Sequence, residues 1–125
     1  MSVGETPETA ELARASMLRL AVEGWRLAKF IERAGRNLET EQQRRIGSRL
    51  DYFVKEVQDE LAKHGLRIID FTGSEFNPQL PVTALNADEF DASVRLVITQ
   101  QLEPVVVGEA GVVRTGTVLV ERALG

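Results

Sequence analysis

The sequence predicts an α+β protein in which two antiparallel helices precede a small all-β domain. Apolar residues recur at intervals of three and four through the first half, the signature of helices with one buried face. From Leu66 onward the pattern changes to short β-branched runs separated by Gly, Pro, Asn and Asp. With 125 residues the chain has room for a helical segment and one small domain, not for two independent cores. The expected division is residues 1–65 as the helical region and residues 66–125 as the β domain.

The first helix is expected from Thr6, as N-cap, to about Leu38, with Pro7 in the first turn, where its missing N–H costs nothing. Met17, Leu20, Gly24, Leu27, Ile31, Ala34 and Leu38 form a seam like that of helices packing at a shallow angle, and this seam calls for a partner. Beside it, Leu18, Ala21 or Val22, Trp25 and Ala28 make a second stripe. The combined face is wider than a two-stranded coiled coil requires, so the expectation is a dimeric four-helix bundle with two helices from each chain. Trp25 belongs to its core.

Thr40-Glu41-Gln42-Gln43 has the form of a capping box and opens the second helix. Ile46, Leu50, Phe53, Val54, Val57 and Leu61 mark its apolar face. Lys63 and His64 suit the negative end of the helix dipole, Gly65 supplies a left-handed cap, and Leu66 stands where a Schellman ending brings it against Leu61. The predicted dimer interface comprises Met17, Leu20, Leu27, Ile31, Leu38, Leu50, Phe53 and Val57.

Strands are expected at Leu66–Phe71, Val82–Leu85, Ser93–Gln100, Pro104–Val107, Gly111–Arg114 and Thr117–Glu121. Gly73-Ser74 and Asn77-Pro78 read as turns, and Gly108-Glu109-Ala110-Gly111 as a hairpin loop.

Composition excludes several kinds of chemistry. There are no cysteines, so disulfides, thiolate nucleophiles and cysteine zinc sites are out. His64 is the sole histidine and has no second ligand or nucleophile beside it. Asp88, Glu89 and Asp91 lack the spacing of a calcium loop and read as a solvated loop, and Gly108 to Gly111 is not followed by the Lys-Ser or Lys-Thr of a phosphate loop. The expectation is no metal, no cofactor and no catalytic residue. A net charge of −4 lacks the basic footprint of a nucleic-acid or anionic-membrane binder. Met1 to Glu11 is polar and acidic, and no run reaches a membrane span, so a cytoplasmic location is expected.

Five stretches, in order, resemble the GrpE family of nucleotide-exchange factors. Leu27-Ala28-Lys29-Phe30-Ile31-Glu32-Arg33-Ala34 is similar to the family's Leu-x-x-x-hydrophobic-acid-Arg-Ala where stalk meets bundle. Leu61-Ala62-Lys63-His64-Gly65-Leu66 followed by Ile68-Ile69 is similar to its helix-to-strand junction. Phe76-Asn77-Pro78 resembles its hydrophobic-Asp-Pro turn, and Val97-Ile98-Thr99-Gln100-Gln101 the strand entering its Gln-basic-Gly-Tyr signature. Val113 to Val120 resembles its hydrophobic-Arg-Pro-Ala-x-Val-x-Val ending. Departures are Leu102-Glu103 for Gly-Tyr, Thr115-Gly116 for Pro-Ala, and Leu80-Pro81 for a His-Glu or His-Gln pair, and the first helix is too short for the family's long stalk.

The resemblance implies a homodimer whose β domain binds the nucleotide-binding domain of a DnaK-type (70-kDa heat-shock) chaperone and favours the open cleft from which ADP leaves. Carried over residue by residue, the chaperone-binding set is Asn77, Pro78, Gln100 and Arg114, with Glu103 as an altered member. The alternative is a non-enzymatic dimeric adaptor of the same fold that has lost exchange activity or serves a divergent DnaK-like partner.

Overall fold

The computed structural model describes residues 6–124, so the start of the acidic N-terminal stretch and Gly125 lie outside the described residues. The architecture is α+β: helix α1 (Pro7–Ala34), a short 3-10 turn (Gly35–Asn37), helix α2 (Thr40–Ala62), then six strands. The chain divides after Val57 into two compact units, the second taking the last turns of α2 together with the strands.

In the first unit Thr6 caps α1 as expected, its hydroxyl accepting from the Thr9 amide at 3.1 Å, with Pro7 inside the first turn. The helix stops at Ala34, short of Leu38, because Gly35–Asn37 tightens into 3-10 geometry. The space above Gly24 is filled by the Phe53 ring and that above Gly35 by Ile46, so α1 and α2 run antiparallel. The buried side of α1 is the second stripe, Val22, Trp25 and Ala28, with the Lys29 ammonium 5.3 Å from the Trp25 ring centre.

The expected capping box does not form. Thr40 already lies within α2, the Gln43 amide bonds to the Glu39 carbonyl, and the Gln43 side chain donates to the carbonyls of Arg36 (2.6 Å) and Leu38 (2.8 Å). The glutamine reaches past the helix start because the 3-10 turn leaves those carbonyls without helical donors.

The other end of α2 closes as expected at Gly65 and Leu66, but the helix stops at Ala62, so Lys63 and His64 lie in the turn beyond it and not in its last turn. The Leu66 amide bonds to the Leu61 carbonyl at 3.0 Å and the Gly65 amide to the Ala62 carbonyl at 3.1 Å, the paired bonds of a Schellman ending. Gly65 takes φ 69° there, and both Leu61 and Leu66 are buried.

The second unit holds two three-stranded sheets. One has the order β1 (Arg67–Ile69), β4 (Val105–Gly108), β5 (Gly111–Arg114), all antiparallel. The other has the order β2 (Val82–Ala84), β6 (Gly116–Arg122), β3 (Leu96–Glu103), with β2 parallel and β3 antiparallel to β6. Leu96, Ile98, Val118 and Val120 form the core of this sheet, covered by Phe71, Phe76, Leu80, Val82, Phe90 and Val94. The expected strand at Ser93–Gln100 starts later and runs on to Glu103, because the Asp91 carbonyl and carboxylate hold Val94 and Ser93 in a turn.

The chain changes sheet three times: over the long connection from β1 to β2, and again within single residues at Pro104 between β3 and β4 and at Thr115 between β5 and β6. Pro104 has no N–H to continue the β3 ladder, which ends pairing there. Two side-chain amides stand in for missing strands. Gln58 exchanges two hydrogen bonds with the Ile68 backbone at 2.8 and 3.0 Å, and Asn86 does the same with Val120 at 2.9 and 3.0 Å, beyond the end of β2.

Candidate contact surface of the β unit

Glu103 is the last residue of β3 and Arg114 the last of β5, so each immediately precedes a change of sheet. Arg114 Nη2 donates to Glu103 Oε2 at 3.1 Å, with both side chains a little over one third exposed. The pair therefore ties the two crossings together at the surface. Arg114 Nε is buried without an acceptor, which leaves the guanidinium held at one nitrogen only.

Beneath this pair lies Gln101, the one buried polar side chain among the described residues. Its Oε1 accepts from the Phe71 amide at 2.8 Å, and its Nε2 donates to the Glu103 carbonyl at 2.8 Å. Both ends of the amide are satisfied, as burial demands. Gly116 packs over the same spot. A Cβ there would stand 2.5 Å from the Glu103 carbonyl oxygen and 2.7 Å from Gln101 Nε2, so no larger residue fits.

Sequence reasoning selected Gln100, not Gln101. Strict alternation from Leu96 and Ile98 would turn Gln100 inward, but the register of β3 on β6 slips between Ile98 and Gln100. That bulge turns Gln101 into the core and leaves Gln100 half-buried opposite Leu119.

The predicted contact residues separate into two groups. Asn77 and Pro78 are exposed in a turn in which the Asn77 carboxamide oxygen accepts from the Gln79 amide at 2.8 Å and its carbonyl from Leu80 at 3.1 Å. This turn leaves β3 at its Leu96 end, next to the Glu75–Val97 bridge. Glu103 and Arg114 lie at the opposite end, roughly 20 Å away at ~3.3 Å per strand residue. Gln100 lies between them. Glu75 and Arg95 form a two-fold hydrogen-bonded pair near the Asn77 turn, at 3.1 Å for each contact. The Arg95 guanidinium holds the Glu75 carboxyl below its usual range, first through hydrogen bonding and then through charge.

In the helical unit, the expected interface residues are largely uncovered within one chain. Leu20 (74%), Leu27 (59%) and Phe53 (42%) are exposed, as is Leu38, while Met17, Ile31, Leu50 and Val57 are half-buried.

Among the described residues no group of three or more His, Asp or Glu side chains is gathered as a metal site would need, and Asp88 and Glu89 sit exposed on a single 3-10 turn. No described helix is long and apolar enough to cross a membrane. The β unit also presents an Asn-Pro turn and exposed valines at 112 and 113 on edge strand β5. Comparison with known proteins finds no match in any of three forms, neither a family model nor a curated protein nor a solved structure.

Proposed function

We propose that the chain is a GrpE-like co-chaperone, a homodimer that promotes ADP release from a DnaK-type chaperone by pressing its β unit against the nucleotide-binding domain. The reading rests on the ordered resemblances from Leu27 to Val120. The observation that best supports it is the Glu103–Arg114 pair, which braces the β3–β4 and β5–β6 crossings beside the exposed edge strand β5. A protein that works by shape needs such bracing, since it biases an opening equilibrium only by its differential affinity for the open form. No covalent catalysis is involved. A ~100-fold faster release corresponds to about 2.7 kcal/mol of preferential binding to the opening transition state.

The second reading is a dimeric adaptor without exchange activity, or one serving a divergent DnaK-like partner. The same pair favours it in one respect: Arg114 already has a carboxylate from its own chain, where a standard contact surface would offer the guanidinium to the partner. Stopped-flow release of a fluorescent ADP from a DnaK-type chaperone, with and without the protein, separates the two. Accelerated release supports exchange. Unchanged release together with measurable binding supports the adaptor, and absence of binding removes both.

A further inference from the structure

The polar face of α2 carries charge that this chain does not use. Arg44, Arg45, Ser48, Arg49 and Tyr52 line one shallow open depression. At 100° per residue they fall within an arc of about 140°, opposite Ile46, Leu50, Phe53 and Val57. Two of the three guanidiniums share one carboxylate. Glu41 stands 3.4 Å from Arg44 and 3.7 Å from Arg45, both long contacts between largely exposed groups, and Arg49 makes no ion pair among the described residues. Tyr52 is 64% exposed beside them. Asp51, the nearest acid in sequence, is turned well away from Arg45 and Arg49 around the helix.

We infer that this face is a docking surface for a short acidic segment of a partner protein, helical and carrying carboxylates one turn apart. Arg45 and Arg49 are themselves one turn apart, with Cβ atoms about 5–6 Å from each other, which matches carboxylates at the same spacing on a second helix. Each guanidinium can then take a charge-assisted bond, with the Ser48 and Tyr52 hydroxyls as further donors. The basic stretch from Arg44 to Tyr52 is only ~12 Å long at 1.5 Å per residue. It is closed by Glu41 at one end and Glu56 at the other, with Lys55 already engaged in an interaction of its own. A long polyanion such as nucleic acid would run into those acids and into the overall charge of −4, whereas a segment of two or three turns stays inside them. This surface is independent of the co-chaperone reading.

The test uses the full chain and a fluorescein-labelled 14-residue helical peptide with Glu pairs four apart, followed by fluorescence anisotropy at low and physiological salt. Its comparators are the same peptide with Lys for Glu and a labelled 20-nucleotide single strand. The Glu peptide is expected to bind, to weaken at least tenfold with Arg45→Glu/Arg49→Glu, and to be unaffected by Arg67→Glu/Arg122→Glu, two exposed arginines of the β unit. All four positions are exposed, and circular dichroism verifies that both variants fold. The inference is overturned if the Glu peptide does not bind, if both double variants lose binding equally, if neither does, or if the oligonucleotide binds more tightly than the Glu peptide.

Discussion

Arg114 and Glu103 meet at 3.1 Å, each one residue ahead of a point where the chain leaves one sheet for the other. Their contact is the only described ion pair that joins these two crossings, so its worth can be measured without disturbing the strands. At a little over one third exposure its strength is that of a partly screened surface pair. A double-mutant cycle with Glu103→Gln and Arg114→Met is expected to give a coupling of about 0.5–1 kcal/mol in urea unfolding. A coupling near zero would mean that the crossings are held by Gln101 and Gly116 alone.

Gln101 is expected to matter more than the ion pair above it. Gln101→Leu keeps the volume but strips the Phe71 amide and the Glu103 carbonyl of their partner, and leaving buried groups unsatisfied costs about 1–3 kcal/mol each. The variant should lower the urea midpoint by more than either clamp substitution, with faster hydrogen exchange at the Phe71 amide. Retained protection at Phe71 would place the amide's support elsewhere.

How much of this was legible in the sequence differs between the two halves. Helix signals are local: Thr6-Pro7 at the start and Gly65-Leu66 at the end identify backbone groups that must be satisfied within a few residues, and they appear in the structure as read, while Lys63 and His64, expected in the last turn of α2, stand just beyond Ala62 where the helix ends. The hairpin at Gly108–Gly111 was legible for the same reason, its two glycines pairing directly. The sheet crossings were not. Pro104 reads as the start of a strand, but whether that strand returns to the same sheet or joins another depends on distant partners such as Val118 and Ile68. The parallel pairing of β2 with β6, in which Val82 meets Gly116 34 positions further on, leaves no local trace. The bulge after Ile98 decides that Gln101 and not Gln100 enters the core, and a register slip between two strands cannot be read from either strand alone.

Glu75 and Arg95 provide a pH readout beside the Asn77 turn. The folded-state pKa of Glu75 is depressed, so the stability it contributes is present above the unfolded glutamate value and is lost as pH falls through the lower folded value. Both groups are fully exposed, so the effect belongs in a titration and not in a large change of melting temperature. The Glu75 side-chain carboxyl followed by NMR should titrate below the ordinary glutamate value and move up toward it in Arg95→Gln. A midpoint insensitive to that substitution would assign the shift to another cause.

The proposed homodimer rests on Leu20 and Leu27, which a single chain leaves more than half exposed on one side of α1. Burying a leucine side chain contributes about 1.5–3 kcal/mol, so charging two of them in each protomer should dissociate a modest interface. Sedimentation equilibrium is expected to report twice the chain mass for the wild type and a single chain mass for Leu20→Glu/Leu27→Glu, with helicity retained. A monomeric wild type at tens of micromolar would remove the dimer and the four-helix bundle with it.

Two glycines allow opposite predictions from the same substitution. Gly47 lies within α2, and a Cβ there meets nothing within 4 Å, so Gly47→Ala should recover the helix propensity that glycine forgoes, about 1 kcal/mol. Gly116 opens β6 with the Glu103 carbonyl 2.5 Å from the position of a Cβ, and the obstacle is backbone, which cannot rotate aside as a side chain can. Overpacking of this kind costs about 1–3 kcal/mol, and here it also pushes on the Gln101 amide. Thermal unfolding should therefore rise for Gly47→Ala and fall for Gly116→Ala. If Gly47→Ala instead weakens self-association while raising the stability of the isolated chain, the open space at Gly47 is filled by the second protomer. A Gly116→Ala protein as stable as the wild type would show that β3 and β6 separate readily at their ends, which a β unit that works by its shape could not tolerate.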